Sequence, residues 1–398
     1  MITFLFNFKE IGGVQVLIFN LMRELSKSNI RTKLIYHKNS WLTDELKKHK
    51  VEFDFFCIED LRHENINIFV KHDDILVTTI LFMELVSFTR INPYFLLWDV
   101  SFNTFFYEMR NYVYIRKLTR KRLINKMLNK KGLVFMDKEC VRDVEKQLRI
   151  KIDPSYLPIP VITYDVNHFL QRQRSYATTI HLTYIGRAIT WKIAPVRKLL
   201  SDLEKISSNS RNFCLHIITD DVDRFRNGLD FTPGGFEVEF HQNLSGERLR
   251  EFLVNTSDLH IAMGTSCLEG ATLGIPSILL DASYRELPEN YTYKWIFEND
   301  GYSLGRILDG TNNVTLYHNL SEILVNYGEH QSESLSTISH KCYEYVKHHH
   351  DVAKITNDFV SSCSNSRLKI NDVLYTDLGY YVKEVIKRRF NKDLFLID

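Results

Sequence analysis

Three side chains in this sequence have the types and spacing of a site for a diphosphate that carries sugar hydroxyls. Arg187 and Lys192 stand in "YIGRAITWKIAP" (Tyr184–Pro195), where an apolar run ends at Gly186 and the two cations follow. Arginine grips phosphate oxygens bidentately and lysine acts on them as a point charge, so the pair suits a diphosphate. A helix expected to start near Pro195 would add its dipole to the same attraction. The plainer alternative is two solvated cations in a strand-to-helix loop. Glu269 is the third, and it is out of place. "MGTSCLEGATLGIP" (Met263–Pro276) sets it as the only charge among small and apolar residues. With Leu259–Ala262 a strand and Cys267–Leu273 opening a helix, Glu269 falls in the first helical turn. It can complete a capping box with Thr265 or Ser266 and gain roughly 0.3–1 kcal/mol from the dipole. Alternatively it faces a ligand and accepts hydrogen bonds from ribose hydroxyls, while N–H groups of Gly264, Thr265 and Ser266 meet phosphate.

Such residues need a scaffold that brings loops together, and the chain predicts one. Short β-like runs alternate with helical patterns. Expected strands in the first half are Thr3–Asn7, Thr32–Tyr36, Ile75–Thr79, Tyr94–Trp98 and Leu133–Met136. After the first comes Gly12-Gly13, then Val14, Leu17, Ile18, Leu21 and Leu25 at helical spacing. Strand, glycine turn and helix open a parallel βαβ unit. "YLPIPV" (Tyr156–Val161) ends this half, and a polar linker reaches Thr179. A second alternating series follows: His181–Ile185, Phe213–Thr219, Glu237–His241, Leu259–Ala262 and Ser277–Leu280. The expectation is an α/β protein of two doubly wound domains, 1–165 and 166–345, with a helical tail, 346–398, returning toward the first. In open parallel sheets ligands bind beyond the carboxyl ends of the strands, where these loops lie.

The totals narrow the class. A chain of 398 residues exceeds one ordinary core, which agrees with two domains. A formal charge of +2 gives no global argument for nucleic acid. The six cysteines are scattered, without C-x-x-C or zinc spacing, which fits free thiols in a reducing cytoplasm. The first residues read as a strand rather than a signal peptide, and no apolar run is long enough to span a bilayer.

Several motifs, in order, give the chain a family likeness. "GGVQVLIFNLMREL" looks like the glycine loop and first helix of the retaining GT-B glycosyltransferases of bacterial surface polysaccharide synthesis, the family 4-like group. "GLVFMDKECVRDVEKQL" resembles the last strand and helix of their first domain. "YIGRAITWK" is similar to their G-R-x-x-x-x-K phosphate motif, with Arg187 and Lys192 in register. "LEGATLGIP" matches the second glutamate of their E-x7-E motif. The resemblance implies a sugar (hexosyl) transferase with a GT-B fold that needs no metal and no cofactor beyond its donor, a nucleotide diphosphate sugar, UDP- or GDP-linked. By the same resemblance Gly12, Gly13 and Gly186 would let backbone approach the sugar diphosphate. Arg187 and Lys192 would stabilise the leaving diphosphate, and Glu269 would hold the ribose. Two departures stand out. The first glutamate of the motif is replaced by Ile261, which puts the donor-sugar contacts in question. Trp98-Asp99 stands where relatives often carry His-Asp; Asp99 either touches a sugar or acceptor hydroxyl or caps the next segment.

Other features divide between function and surface. Asp221–Asp223 has D-x-D spacing without the pattern of a metal-dependent transferase, and the His348–His350 run reads as a solvated helix face. His241, at a strand's end, is a candidate for contact with the base. No acid occurs between Glu108 and Asp137, and residues 110–131 hold nine Lys and Arg with apolar residues interspersed. That stretch is either a basic amphipathic surface for anionic lipid, placing the protein peripherally on the inner face of the membrane, or a solvated helix face. It also suits a polyprenyl-linked glycan acceptor. A 2-epimerase of the same fold and a non-catalytic nucleotide-sugar-binding partner are the competing functions.

Overall fold

The chain is described by a computed structural model over residues 1–8, 12–60, 68–80, 92–100, 117–164, 179–207, 212–231, 234–308, 317–328, 332–369 and 371–372. It divides into two compact units, one made of 1–160 with 352–398, the other of 161–351.

The first unit holds strands β1 (Ile2–Leu5), β2 (Thr32–Tyr36), β3 (Phe53–Cys57), β4 (Ile75–Thr78), β5 (Tyr94–Asp99) and β6 (Leu133–Phe135). They pair in parallel in the order β3-β2-β1-β4-β5-β6. Its described helices include α1 (Gly13–Lys27), α2 (Trp41–Lys48), α3 (Lys117–Asn129) and α4 (Lys138–Leu148). α1 forms because Leu17, Ile18, Leu21, Met22 and Leu25 recur on one side, and that side is buried. β3 is absent from the strands expected from sequence. "FDFFC" lies at the sheet's edge and is only half-buried, so its pattern lacks the continuous apolar run of the inner strands.

The second unit repeats the plan. Its main strands are β7 (Thr179–Ile185), β8 (Asn212–Thr219), β9 (Glu237–Gln242), β10 (Leu259–Ala262) and β11 (Ser277–Leu279), parallel in the order β9-β8-β7-β10-β11, with a short antiparallel strand, Lys294–Trp295, on the β11 edge. Between them run α5 (Thr190–Ser207), α6 (Val222–Leu229), α7 (Gly246–Thr256) and α8 (Thr265–Thr272). In both sheets the strand order reverses beside the first strand, between β1 and β4 and between β7 and β10. Those are the switch points at which adjacent loops splay apart and leave room for a ligand.

A long helix, α9 (Ser332–His350), closes the second unit. His350 at its end is buried beside Tyr302 and Tyr345 rather than lying on a solvated face, and its carbonyl accepts from the Val161 amide. The chain then enters the first unit as α10 (Val352–Asn365), whose Phe359 stacks on Phe4 at 5.6 Å between centroids. It then forms a short strand, Leu368–Lys369, antiparallel to β5.

Candidate functional site

At the second unit's switch point, Ile185 of β7 pairs directly with Ala262 of β10, so the two strands release their loops side by side. One loop and the helix start beyond it carry Gly186, Arg187 and Lys192; the other loop and its helix carry Gly264, Thr265, Ser266 and Glu269. Seven of the residues singled out from sequence therefore sit in two adjacent strand-to-helix segments of one unit.

The first loop is built tightly. The Gly186 amide donates to the Ile218 carbonyl at 3.0 Å. A Cβ at Gly186 would run into the Tyr184 hydroxyl and stand 2.7 Å from the ring's Cζ, so only glycine fits. Tyr184 is fully buried, and its hydroxyl donates onward to the Lys192 carbonyl at 3.3 Å. Asp220, at the end of β8, accepts from the Ala188 amide at 2.7 Å and braces the turn. α5 starts at Thr190, five residues before the expected position, and Pro195 lies inside it. A proline within the first two turns forfeits few helix bonds, so it does not set the boundary.

That shift changes the electrostatics. Lys192 is the third residue of the helix, where a cation stands against the dipole. Desolvation, with Arg187 close by, pulls its ammonium down to about 8, and Asp220 offsets this only in part. Among described residues no carboxylate forms an ion pair with it, and its Nζ rests over the Trp191 ring at 5.3 Å. Two cations gathered at a helix N-terminus repel each other, and an anion bound between them relieves that repulsion.

The second loop corrects the capping reading. The residue before α8 is Gly264, at φ +64°, with no side-chain cap. Glu269 is the fifth helical residue, too far along for a capping box, and the first turn holds no acid. Its carboxylate accepts no hydrogen bond from the described residues. Burial raises its pKa, with the Arg250 charge opposing. The Gly264 amide is already spent on the Leu304 carbonyl at 2.6 Å, which leaves those of Thr265 and Ser266 as the helix's first unpaired donors.

Under this turn lies a residue the sequence reading missed. His260 in β10 is fully buried, its Nε2 2.8 Å from the Ser266 carbonyl and its Nδ1 2.9 Å from the Thr183 hydroxyl. Burial depresses it to about 4, so the ring is neutral and holds the turn by hydrogen bonds alone. Gly270 is the matching concession, because a Cβ there would come within 2.5 Å of the imidazole. Ile261 points into the core and is fully buried.

The other candidates lie in the first unit or elsewhere in the second. Gly12 precedes α1 in extended backbone, φ −162°, and Gly13 begins the helix; neither needs a left-handed conformation. Asp99 ends β5, 6% exposed, and its carbonyl accepts from the Met136 amide. Asp221 caps α6 by accepting from the Arg224 amide at 2.9 Å, which accounts for the D-x-D without a metal. His241 packs on Phe252, ring centroids 4.6 Å apart. Of the basic stretch 110–131, residues 110–116 lie outside the described residues. In the remainder, Leu123, Ile124 and Met127 of α3 are buried, while Lys126 and Lys130 pair with Asp372 at 3.6 and 2.9 Å. No helix among the described residues is long and apolar enough to cross a membrane.

No family profile matches the chain, and no curated protein matches it by sequence. Solved structures do match by shape. A glycosyltransferase from Rickettsia africae superposes with a TM-score of 0.58 at 14% identity, covering 94% of this chain and 99% of that one. Anabaena HepE, in complex with UDP and glucose, gives 0.57 at 11% identity over 91% and 99%. The lipopolysaccharide outer core galactosyltransferase WaaB gives 0.50 at 13% over 91% and 98%. With two parallel α/β sheets of the same strand order in two units, and these neighbours, the chain has the GT-B fold.

Proposed function

We propose that the protein is a glycosyltransferase that moves a hexosyl group from a nucleoside diphosphate sugar, UDP- or GDP-linked, to a glycan or polyprenyl-linked glycan of a bacterial surface polysaccharide. The observation that carries this reading is Glu269, half-buried and accepting no hydrogen bond from the described residues, in the helix that starts next to the segment bearing Arg187 and Lys192. An acceptor carboxylate beside two cations is what a ribosyl diphosphate requires: hydroxyls to donate to the one, phosphate oxygens to bind the other. HepE, a neighbour in fold, has been crystallised with UDP and with UDP-glucose.

In this reading Arg187, Lys192 and the Thr265 and Ser266 amides hold the diphosphate. The two cations act most strongly as the bond to the sugar breaks, when negative charge gathers on the leaving oxygen. By the family likeness Gly12 and Gly13 allow close backbone approach to the sugar diphosphate, and Asp99 meets an acceptor or sugar hydroxyl. Retention of anomeric configuration follows the family likeness. Because fold does not fix function, a non-catalytic nucleotide-sugar-binding partner is the second reading, and the buried Ile261 favours it.

The test is a thermal-shift panel of UDP, GDP, CDP, dTDP and their sugar conjugates on wild type and Glu269→Gln. A ligand at about 100 times its dissociation constant adds roughly 2.7 kcal/mol to stability. We expect one nucleotide to shift the melting temperature strongly, with the shift lost or much reduced in the variant, whose own stability stays within about 0.5 kcal/mol of wild type. No shift with any nucleotide at millimolar concentration would sink the donor site. Binding without turnover on any glycan acceptor would leave the non-catalytic partner as the better reading.

A further inference from the structure

Away from the switch point, the sheet of the second unit brings three histidines into line. β7, β8 and β9 are parallel neighbours whose register pairs His216 with Glu239 and sets His181 and His241 on the same face, one alternate position to either side. His181 Nδ1 lies 2.9 Å from His216 Nε2. On the other side, His216 Nδ1 is 3.1 Å from a carboxylate oxygen of Glu239 and 3.2 Å from His241 Nε2. The same Glu239 oxygen is 3.7 Å from His241 Nε2.

We propose that His216, Glu239 and His241 form a binding site for a divalent transition ion of the Zn²⁺ type. The three ligand atoms make a triangle with edges of 3.1, 3.2 and 3.7 Å. An ion held tetrahedrally at about 2.0–2.1 Å from each ligand separates the ligand atoms by about 3.3–3.4 Å. The triangle is already one face of that tetrahedron. Two imidazoles and one carboxylate are a set that Zn²⁺ and its neighbours in the series accept, whereas Mg²⁺ and Ca²⁺ prefer oxygen alone.

Three features show a site that is built rather than a chance meeting of side chains. His216 is nearly enclosed, at 5% exposure, and its second nitrogen lies 2.9 Å from His181 Nδ1, which holds the ring; with an ion on Nδ1, the Nε2–H donates to His181. Phe252 of α7 packs on both ligand rings, 5.6 Å from His216 and 4.6 Å from His241, and holds their planes. Glu239 is 53% exposed and His241 24%, so the fourth position opens to water and an ion has a path in. A bound ion would tie the edge strand β9 to β8. The site lies on the strands themselves, and the proposal is independent of the donor reading.

The experiment uses the full chain, stripped with chelator, and titrates it with Zn²⁺ by calorimetry and with Co²⁺ by visible absorption. Wild type should bind one equivalent of each, Co²⁺ with the intense visible bands of a tetrahedral ion, and Zn²⁺ should raise the melting temperature. In Glu239→Gln and His241→Ala the affinity should fall by at least about tenfold, with the Co²⁺ bands weakened. Glu239→Gln changes an exposed residue at constant volume, so it decides the matter should His241→Ala fold poorly. No stoichiometric binding in wild type, or binding equally tight in both variants, overturns the proposal; the second result assigns the ion to other groups.

Discussion

Two carboxylates, one in each unit, stand shortly after a strand and are pushed above their ordinary pKa by burial, yet the protein treats them in opposite ways. Asp137 follows β6, is 1% exposed, and accepts from the Cys140 amide at 2.9 Å as the cap of α4. Glu269 follows β10, is half-buried, caps nothing and accepts from no described donor. The first acid is complete within the fold. The second is half-buried with no donor among the described residues, so its carboxylate oxygens are left for water or for a ligand that brings hydroxyl donors. Asp137 should therefore govern stability and Glu269 should govern binding.

The largest effect expected from this contrast is on the pH dependence of stability. Burial, partly offset by the Cys140 hydrogen bond, raises Asp137 to about 6, against roughly 3.9 for an unfolded aspartate. Between those values the native state keeps a proton that the unfolded state has released, so this group's contribution is fully present below about pH 4 and lost as pH rises through 6. A difference of that size between the folded and unfolded carboxyl is worth about 3 kcal/mol. Asparagine still caps the helix but carries no titrating proton. Urea denaturation of Asp137→Asn, set against wild type from pH 4 to 7, should show that much of the slope removed. Equal slopes would mean that Asp137 is not held in the state described, and the contrast with Glu269 would lose one side.

Next in size is a test on glycines. Gly186→Ala drives a methyl into the Tyr184 ring, which is fully buried and has nowhere to move. Overpacking of this kind costs about 1–3 kcal/mol, and the loop bearing Arg187 should shift with it, weakening nucleotide binding. Among the described residues Gly12→Ala meets only the Gln15 side chain, at an ordinary 3.4 Å, and should change stability by no more than about 0.5 kcal/mol. Its effect belongs to the ligand instead. Calorimetric melting of both variants checks the pair, and a Gly12→Ala as costly as Gly186→Ala would show that both glycines are structural.

What is legible in the sequence follows from where each signal is stored. The inner strands can be read because parallel strands covered on both faces are continuous apolar runs, and Thr32–Tyr36 and Leu259–Ala262 fall where the pattern puts them. Arg187, Lys192 and Glu269 can be placed beside the switch point from sequence because each follows a recognisable strand and glycine turn. The start of α5 is not legible, because proline is tolerated in an early turn as well as at its first position. The role of Glu269 as a cap fails for a related reason. Gly264 ends the strand at positive φ and takes the capping position itself, which carries Glu269 beyond the reach of a capping box. His260 and the line of His181, His216 and His241 are invisible because each histidine sits on a different strand or acts beneath a loop. Only the register of the sheet makes them neighbours.

The smallest effect expected is the one that separates the two cations. Arg187 stays charged at any working pH, whereas Lys192, lowered to about 8 by burial and by Arg187, begins to lose its proton in the range where enzymes are assayed. Bound diphosphate favours the charged form, so protonation and binding are linked. Below pH 7 the affinity for nucleoside diphosphate should be flat on this account. Above pH 8 it should fall by up to about tenfold for each further step of one in pH, worth about 1.4 kcal/mol. In Lys192→Arg the positive charge persists and the fall should vanish over roughly pH 7 to 9.5, although the planar head will not reproduce the geometry and the plateau affinity should be lower. Titrating both proteins with the nucleotide that the thermal-shift panel identifies gives the answer directly. Parallel profiles would remove Lys192 from the phosphate site and leave Arg187, with the Thr265 and Ser266 amides, to hold the anion alone.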